Sequence, residues 1–409
     1  MFSRIIFGAL LCVVVFTHVP YGTVEPWWKA VFICVVLALL LIEIAGKGVT
    51  RIDPCSPVVP LLACTIFAFF QTQISADALQ TRFFALQILA LTVFLALLYR
   101  YAATERRIRL LVFVVLGIAI TTAIFGILRQ TTQHETGFLL PLLKPNQGFA
   151  QFINKNHFAY LVEMAFGLGV GLVIFQTSKQ RVFYLALLVP ISLGLLVSNS
   201  RGAIVAMLAQ VVVAALLLMK RSALRIAFAA VVIAGVFLAA GFSDLTLTTA
   251  AANEGASRYD IWRATLKLFA AHPLFGIGLG AYWIGITAHH EASGVLVPQE
   301  AHNDYLELLA SGGMIGFALG VWFVVSVVRL VRKNLWSSAG FVRAARAGAL
   351  LGITGVAVHS LLDFGLHLMS NAVVFLTLIM MVTARIDSEK VVDLNAGATV
   401  DWPSRRDTR

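Results

Sequence analysis

Long apolar stretches alternate with short polar segments along almost the whole chain. A helix that crosses a hydrocarbon core of about 30 Å needs about 20 mostly apolar residues. Twelve stretches approach that length, near 5–19, 27–45, 56–73, 83–101, 109–128, 156–176, 182–198, 202–219, 224–242, 305–331, 342–361 and 367–384. The pattern predicts an all-α polytopic membrane protein with about twelve transmembrane helices. Arg4 precedes an apolar run, but no convincing small-residue cleavage site follows, so we expect a retained first helix rather than a signal peptide.

The composition excludes several classes of protein. Apolar residues make up 59% of the 409 residues and charged residues only 12%, and the mean hydropathy is +0.88. A soluble domain usually carries about 25% charged residues. A soluble enzyme, a disordered chain and a disulfide-built secreted domain are therefore excluded. The 4 cysteines have no metal or redox spacing.

The basic residues predict the orientation. Most of the 31 lysine and arginine residues fall in the N-terminus, the even-numbered connections and the tail 385–409. Cytoplasmic loops are enriched in Lys and Arg. We therefore expect both termini in the cytoplasm, a bacterial inner membrane, and a periplasmic location for the loop 243–304 between the ninth and tenth spans.

This long loop is the first place where chemistry is expected, because loops of such length are usually functional or disordered. Its aromatic residues indicate an ordered cap. Within it, 257–271 predicts a short amphipathic helix. Arg258 falls on the same side as Trp262, Leu266 and Phe269, and a charge on a buried face needs an anionic partner. The glycine-rich stretch that follows does not come after a strand, so we do not expect a dinucleotide site.

Two short polar segments are expected on the same face. Segment 198–202 (SNSRG) is a tight turn that contains Arg201, which is either an interfacial anchor or an anion-binding residue suited to phosphate. Segment 301–307 (AHNDYLE) leads into the tenth span. Its His302 is the best-placed proton acceptor, although His302 or Asp304 could instead simply cap the helix.

A further polar cluster is expected near the end of the eleventh span. His359, Asp363 and His367 recur every four residues, so they would share one face of a continuous helix, and a metal is conceivable. No matching further ligand set is visible, and Gly365 suggests that the helix stops. We favour a polar network over a metal site, with Asn156 at the start of the sixth span on the same side.

Two carboxylates, Glu43 and Glu163, fall within predicted spans. An ionisable group inside a membrane is costly and is by default a functional candidate. Each could equally be a protonated or paired packing residue.

Three stretches resemble the signature regions of the O-antigen ligase and Wzy-type O-antigen polymerase superfamily. They are SNSRGA (198–203), SRYDIWRATLKLFAAHPLFGIGLGAYW (257–283) and AHNDYLELLASGGMIG (301–316), and they occur in the family's order. The resemblance is closest over 190–330, within what we expect to be a single integral membrane domain. The stretch HSLLDFGLHLMSN (359–371) is also similar to members of this superfamily.

The resemblance implies a GT-C-like fold and a metal-independent, inverting glycosyltransferase without a cofactor. The implied donor is an undecaprenyl-diphosphate-linked glycan, and the implied acceptor is lipid A-core or a growing polysaccharide. The protein would also contact membrane lipids. No nucleic acid partner is implied. By the same resemblance, Arg201 and Arg258 bind the diphosphate and His302 is the base. Possible supporting residues are Asn156, Asn303, Asp304, Tyr305, His359 and Asp363.

Other functions stay open at this level. A transporter or flippase of lipid-linked glycans is the main alternative, but transporters tend to show internal repeats, and no repeat relates the two halves of this chain. A membrane scaffold would leave Arg258 unexplained. Ligase and polymerase are not separated by the sequence.

Overall fold

The computed structural model describes residues 1–19, 21–48, 53–132, 148–218, 258–290 and 298–386. Within these ranges the chain is helical, and Phe149 and Phe152 form an isolated β-bridge.

The described residues form thirteen α-helices. They are α1 (Phe2–Phe16), α2 (Pro26–Lys47), α3 (Val58–Gln71), α4 (Ala78–Tyr101), α5 (Glu105–Thr132), α6 (Lys155–Phe175), α7 (Ser178–Val197), α8 (Arg201–Leu218), α9 (Arg258–Ala271), α10 (Tyr282–Gly285), α11 (Asp304–Asn334), α12 (Gly340–His359) and α13 (Met369–Thr383). Two 3₁₀ turns lie at Ile286–Ala288 and Gly365–His367.

Among the described helices, 8 are long and apolar enough to cross a membrane: α2, α4, α5, α6, α7, α8, α11 and α12. Helices α1, α3 and α13 are apolar but shorter. These eleven helices coincide with eleven of the predicted spans, and the ninth, near 224–242, lies outside the described residues. An all-helical, multi-pass membrane protein is thus confirmed, whereas the total of twelve spans and the orientation stay predictions.

Helices α6 and α12 form the centre of the bundle, and glycines let their backbones touch. A Cβ atom on Gly167 would lie 2.3 Å from the backbone nitrogen of Gly352, and one on Gly171 would lie 2.3 Å from that of Gly348. Small residues at such contacts are a common way to pack helices in membranes. The close pair fixes the start of α6 beside the end of α12.

Helix α11 is broken at Gly313, where φ is 62°. The glycine-rich segment after α9 docks against this break: the N–H groups of Ile277 and Gly278 donate to the carbonyls of Ala310 and Ser311, at 3.1 and 3.0 Å. Glycine permits this backbone approach because it lacks a Cβ atom. The glycines therefore anchor the loop to the break in α11.

The start of α11 is capped differently from either expected alternative. Asn303, not Asp304 or His302, accepts hydrogen bonds from two backbone N–H groups of the first turn, at 3.1 and 3.0 Å. Asp304 instead accepts from the Ser360 hydroxyl at 2.6 Å. The asparagine cap leaves His302 free of a capping role and Asp304 tied to the end of α12.

Helix α9 buries a different face from the predicted one. Its buried residues are Ile261, Ala264, Thr265 and Leu268. Leu266, expected on the apolar face, is 49% exposed. The helix docks through Ile261 and Leu268 with the smaller Ala264 and Thr265 between them. The Thr265 hydroxyl contacts the Tyr282 hydroxyl at 2.6 Å. Arg258 consequently lies at the edge of the contact rather than in its middle.

Glu43 is a paired packing residue. Arg100 Nε lies 2.6 Å from its Oε1 atom, and the Tyr101 hydroxyl donates to Oε2. The sequence leaves Glu43 as either a functional carboxylate or a packing residue that is protonated or paired. The structure shows it paired within the bundle.

Candidate active site

Arg201, Arg258, His302 and Asp363 lie at helix ends. Arg201 begins α8 and Arg258 begins α9, while His302 precedes α11 and Asp363 follows α12. We call the end of the bundle that carries Asp363 and its contacts the polar end. Residues from four separate parts of the sequence therefore approach one another there.

The Asp363 carboxylate is the common partner at the polar end. Its side chain is only 1% exposed. His302 Nδ1 lies 3.2 Å from Oδ1, and Arg258 Nη2 lies 3.6 Å from Oδ2. The Asn156 amide also donates to Oδ2. The anionic partner expected for Arg258 is thus present, and it is shared with His302.

These contacts keep Asp363 ionised. Burial alone raises the pKa of a carboxyl group. The hydrogen bond from His302 and its charge when it is protonated, followed by the charge of Arg258, outweigh burial and lower the pKa of Asp363 to about 2. Asp363 is therefore an anion at neutral pH and can orient the imidazole of His302.

His302 is presented to the outside of the bundle in an unusual backbone conformation. Its φ is 51°, in the left-handed region that is uncommon for residues other than glycine. Phe364 packs against the imidazole, with 4.9 Å between ring centroids. The side chain remains 31% exposed. With Nδ1 on Asp363, the Nε2 atom makes no hydrogen bond to any described residue and is available to accept a proton.

Arg201 is connected to this centre through its neighbour. The Ser200 hydroxyl donates to the Asn156 carbonyl oxygen at 2.8 Å, and the same amide group donates to Asp363. Arg201 itself is exposed and has no hydrogen bond or ion pair with a described residue. Its guanidinium is therefore available to an anion, as expected of a phosphate-binding arginine.

The repeat of His359, Asp363 and His367 does not share one helical face, because α12 ends at His359. His359 Nδ1 lies 2.8 Å from Glu163 Oε2, with both side chains buried. A Cβ atom on Gly202 would lie 2.2 Å from His359 Nε2. The three residues thus make separate polar contacts with different partners, and the buried His359–Glu163 pair lies directly beneath the start of α8.

His367 contacts three carboxylates. Its Nδ1 lies 3.2 Å from Glu300 and 3.6 Å from Glu307, and its Nε2 lies 3.5 Å from Asp304. Burial lowers the pKa of an imidazole, but Glu307 and Glu300 outweigh it and raise the pKa of His367 to about 10. Ligand atoms of Glu300, Glu307 and His367 all lie within 4.8 Å of one another, so these three could hold a metal ion.

Asn303 and Tyr305, expected as possible supporting residues, tie α11 to the end of α12. The Asn303 amide donates to the Leu361 carbonyl at 3.0 Å, and the Tyr305 hydroxyl donates to the Ala357 carbonyl at 2.7 Å. Both contacts fix the segment that carries His302 relative to the segment that carries Asp363.

The arrangement combines an oriented imidazole with guanidinium groups. An imidazole whose Nδ1 faces a carboxylate can take a proton at Nε2. Guanidinium groups can neutralise charge that develops on phosphate oxygens. Such a combination suits the transfer of a group from a phosphate leaving group to a hydroxyl.

Residues 183–321 match the family model of the O-antigen ligases. The resemblance seen in the sequence is confirmed. The matched segment runs from α7 into α11 and contains Arg201, Arg258 and His302, while Asp363 and Asn156 lie outside it. No curated protein matches the chain. An O-antigen ligase segment indicates glycosyl transfer at a membrane as the general class of activity.

Three contributions were not expected from the sequence. Ser200 is predicted only as part of its turn, and no sequence pattern marks Glu300 and Glu307. Glu300 lies just before the signature stretch 301–316 and Glu307 lies within it. Their position on either side of His302 in the sequence is the signal that links them to the candidate site.

Proposed function

We propose that the protein is an inverting, metal-independent glycosyltransferase. It moves a glycan from an undecaprenyl-diphosphate carrier to an acceptor hydroxyl at the periplasmic face of the bacterial inner membrane. The acceptor is lipid A-core if the enzyme is a ligase, or a growing polysaccharide if it is a polymerase. The O-antigen ligase match over 183–321 supports this class of reaction.

In this proposal His302 is the general base. The acceptor oxygen attacks the anomeric carbon, its proton passes to His302 Nε2, and Asp363 stabilises the imidazolium that forms. A new glycosidic bond forms while the bond from the anomeric carbon to the diphosphate oxygen breaks. Attack from the side opposite the leaving group inverts the configuration.

Arg201 and Arg258 bind the diphosphate. The leaving group departs with the bonding electrons, so negative charge grows on its oxygens. Planar guanidinium groups form charge-assisted, paired hydrogen bonds with phosphate, and they need no metal to do so. Arg258 is half exposed at 3.6 Å from Asp363, so its remaining N–H groups are open to a ligand.

The observation that carries the proposal is that one buried carboxylate contacts both the candidate base and a candidate phosphate ligand. Asp363 lies 3.2 Å from His302 and 3.6 Å from Arg258. A proton acceptor and a cation that share a partner are close enough to act on the two sides of one reacting sugar.

The proposal is tested by replacing Arg201, Arg258 and His302 separately with Ala in the producing cell. Surface polysaccharide should be lost while each variant remains inserted and the lipid-linked donor accumulates at the periplasmic face. Full activity of all three variants would contradict the site assignment. Donor accumulation at the cytoplasmic face would instead favour a flippase.

The glycans that accumulate distinguish the two enzyme types. If the missing activity is a polymerase, single repeats should remain on lipid A-core. If it is a ligase, a long polymer should remain unattached. The chain length of the glycans in the His302→Ala strain therefore assigns the acceptor.

A further inference from the structure

A cavity of about 400 Å³ lies beside the segment that carries His302. Helix α4, the first half of α11 and the loop after α9 line it, and Glu300 and Asp304 are among its walls. These two residues lie two positions before and two positions after His302 in the sequence. The volume falls in the range of about 300–1,000 Å³ that is usual for small-molecule sites.

One side chain of this cavity has an amide without a partner. Gln87, in the middle of α4, is 8% exposed, yet its amide makes no hydrogen bond to any residue in the described ranges. The other polar atoms nearby are less available, because Ser311 Oγ is fully buried and Asp304 Oδ1 faces His367 Nε2 at 3.5 Å. Buried polar groups are normally satisfied, and leaving one unpaired is costly. The Gln87 amide therefore presents unpaired donors and an acceptor to whatever occupies the cavity.

The charges of the walls largely offset one another. Glu300, Asp304 and Glu307 contribute carboxyl groups, His367 lies 3.2 to 3.6 Å from them, and Lys29 adds a further cation. The lining residues that the structure describes include no arginine, whereas Arg201 and Arg258 at the polar end are exposed. The cavity and the polar end are thus suited to different parts of a substrate.

The remaining chemistry of the walls fits a carbohydrate. Trp283 lines the cavity and is 43% exposed, so its ring offers a flat apolar surface. An amide supplies two donors and an acceptor, and a carboxylate supplies acceptors. A sugar ring carries hydroxyl groups, each both donor and acceptor, around an apolar C–H face. Aromatic rings with a few placed polar groups are typical of specific ligand pockets.

We propose that this cavity binds a sugar residue of a glycan substrate, with Gln87 on its hydroxyl groups and Trp283 against its ring. The inference deepens the proposed glycosyl transfer and rests on it, because the cavity is lined by Glu300 and Asp304, on either side of the base His302 in the sequence. Donor and acceptor glycans share the required chemistry, and the kinetic arm of the test separates them.

The test measures binding directly, so that it does not depend on catalysis. Oligosaccharides released by mild acid from the source cell's own surface polysaccharide are titrated by calorimetry into the full-length protein in nanodiscs. The His302→Ala background is used to prevent turnover. Gln87→Leu and Trp283→Ala should each weaken binding by about 3- to 10-fold, the effect of losing one ordinary hydrogen bond or ring contact. Two variants on different elements guard against a folding defect in either one.

Thr92→Val is the matched control. Thr92 is also buried on α4, but its hydroxyl is already bonded to the Ile88 carbonyl at 2.8 Å, and it does not line the cavity. Its variant should bind like the parent. Equal affinity of all variants would overturn the proposal. So would the absence of oligosaccharide binding together with Mn²⁺ binding that Glu307→Gln abolishes, since the cluster would then be a cation site.

Kinetics identify the source of the sugar. In the catalytically competent protein, Gln87→Leu should raise the KM for the acceptor if the acceptor sugar binds here, or the KM for the donor if the donor sugar does. An unchanged KM for both would overturn the proposal. A wild-type protein that binds oligosaccharide in the expected pattern but transfers nothing would contradict the proposed function and leave the sugar site intact.

Discussion

His302 Nδ1 lies 3.2 Å from Asp363 Oδ1, although the two residues are 61 positions apart in the chain. The contact joins the start of α11 to the turn after α12. It leaves Nε2 of the partly exposed imidazole without a hydrogen bond to any described residue, so an acceptor hydroxyl can bond to it. The pair therefore decides which nitrogen of His302 takes the proton.

The first prediction concerns Asp363→Asn. An amide keeps the shape of the side chain but cannot stabilise the imidazolium. We expect kcat to fall by up to about 10⁴-fold, the upper end of what general base catalysis contributes. Initial rates with a purified lipid-linked donor measure this. Asp53→Asn, in an exposed position between α2 and α3, is the control, and an unchanged kcat for Asp363→Asn would remove Asp363 from the mechanism.

Replacement of Arg258 separates charge from geometry. Arg258→Ala should raise the KM for the donor by about 10- to 100-fold, as expected for the loss of hydrogen bonds to a charged group. Arg258→Lys should recover only part of this, because a lysine cannot form two parallel bonds to phosphate. Inhibition by inorganic pyrophosphate should weaken in the same order.

Arg263→Ala is the control for this series, since Arg263 lies on the same helix and is exposed. Its kinetics should match those of the parent protein. If Arg263→Ala and Arg258→Ala weakened donor binding equally, the effect would be one of general charge and not of a defined site.

The turn that presents Arg201 should be sensitive to packing beneath it. In Gly202→Ala the new methyl group would lie 2.2 Å from His359 Nε2. Overpacking of this kind typically costs about 1–3 kcal/mol, and the buried His359–Glu163 pair cannot shift without losing its contact. Thermal unfolding in detergent should show a lower midpoint. Gly117→Ala is the matched control because nothing lies within 4 Å of its added methyl group; an equal loss there would refute the packing explanation.

The cluster around His367 predicts a pH dependence of stability. The pKa of His367 is raised to about 10, so its protonated form stabilises the folded state fully below the unfolded value of about 6.5. That contribution is lost as the pH rises toward 10. The wild type should therefore exceed His367→Gln in unfolding midpoint at pH 6, and the difference should shrink steadily up to pH 10.

The carboxylates that face His367 determine the pH range over which this contribution to stability is lost. Glu300, Asp304 and Glu307 lie within 3.6 Å of the imidazole, and Lys29 lies near Glu300. A difference between wild type and His367→Gln that grew with pH would mean that the imidazole is neutral in the folded protein.

Much of the architecture could be predicted from the sequence because each membrane span is a long run of apolar residues. Helices α4 and α6, for example, begin and end within a few residues of the predicted stretches. The break at Gly313 was not predicted, since periodicity and hydropathy continue across it. The buried face of α9 also differs from the prediction, because Ala264 and Thr265 between Ile261 and Leu268 carry a weaker apolar signal than Trp262, Leu266 and Phe269 on the neighbouring face.

The sequence predicts several residues of the candidate site, but it does not predict that Asp363 is their common partner. Arg201, Arg258 and His302 stand out as polar residues in signature stretches. Asp363 appeared only as a supporting residue, because no local pattern shows that the turn after α12 approaches α9 and α11. The sequence does not predict the role proposed for Gln87, because no local pattern shows that a cavity lies beside this part of α4.

The most direct measurement of the central claim is glycosyl transfer by purified protein in the presence of EDTA, with His302→Gly assayed with and without imidazole. Glycine tolerates the φ of 51° at position 302 and leaves space for a free imidazole. We predict that the wild type is active in EDTA, that His302→Gly is inactive, and that imidazole restores part of its rate. Loss of wild-type activity in EDTA, or full activity of His302→Gly without imidazole, would contradict the account.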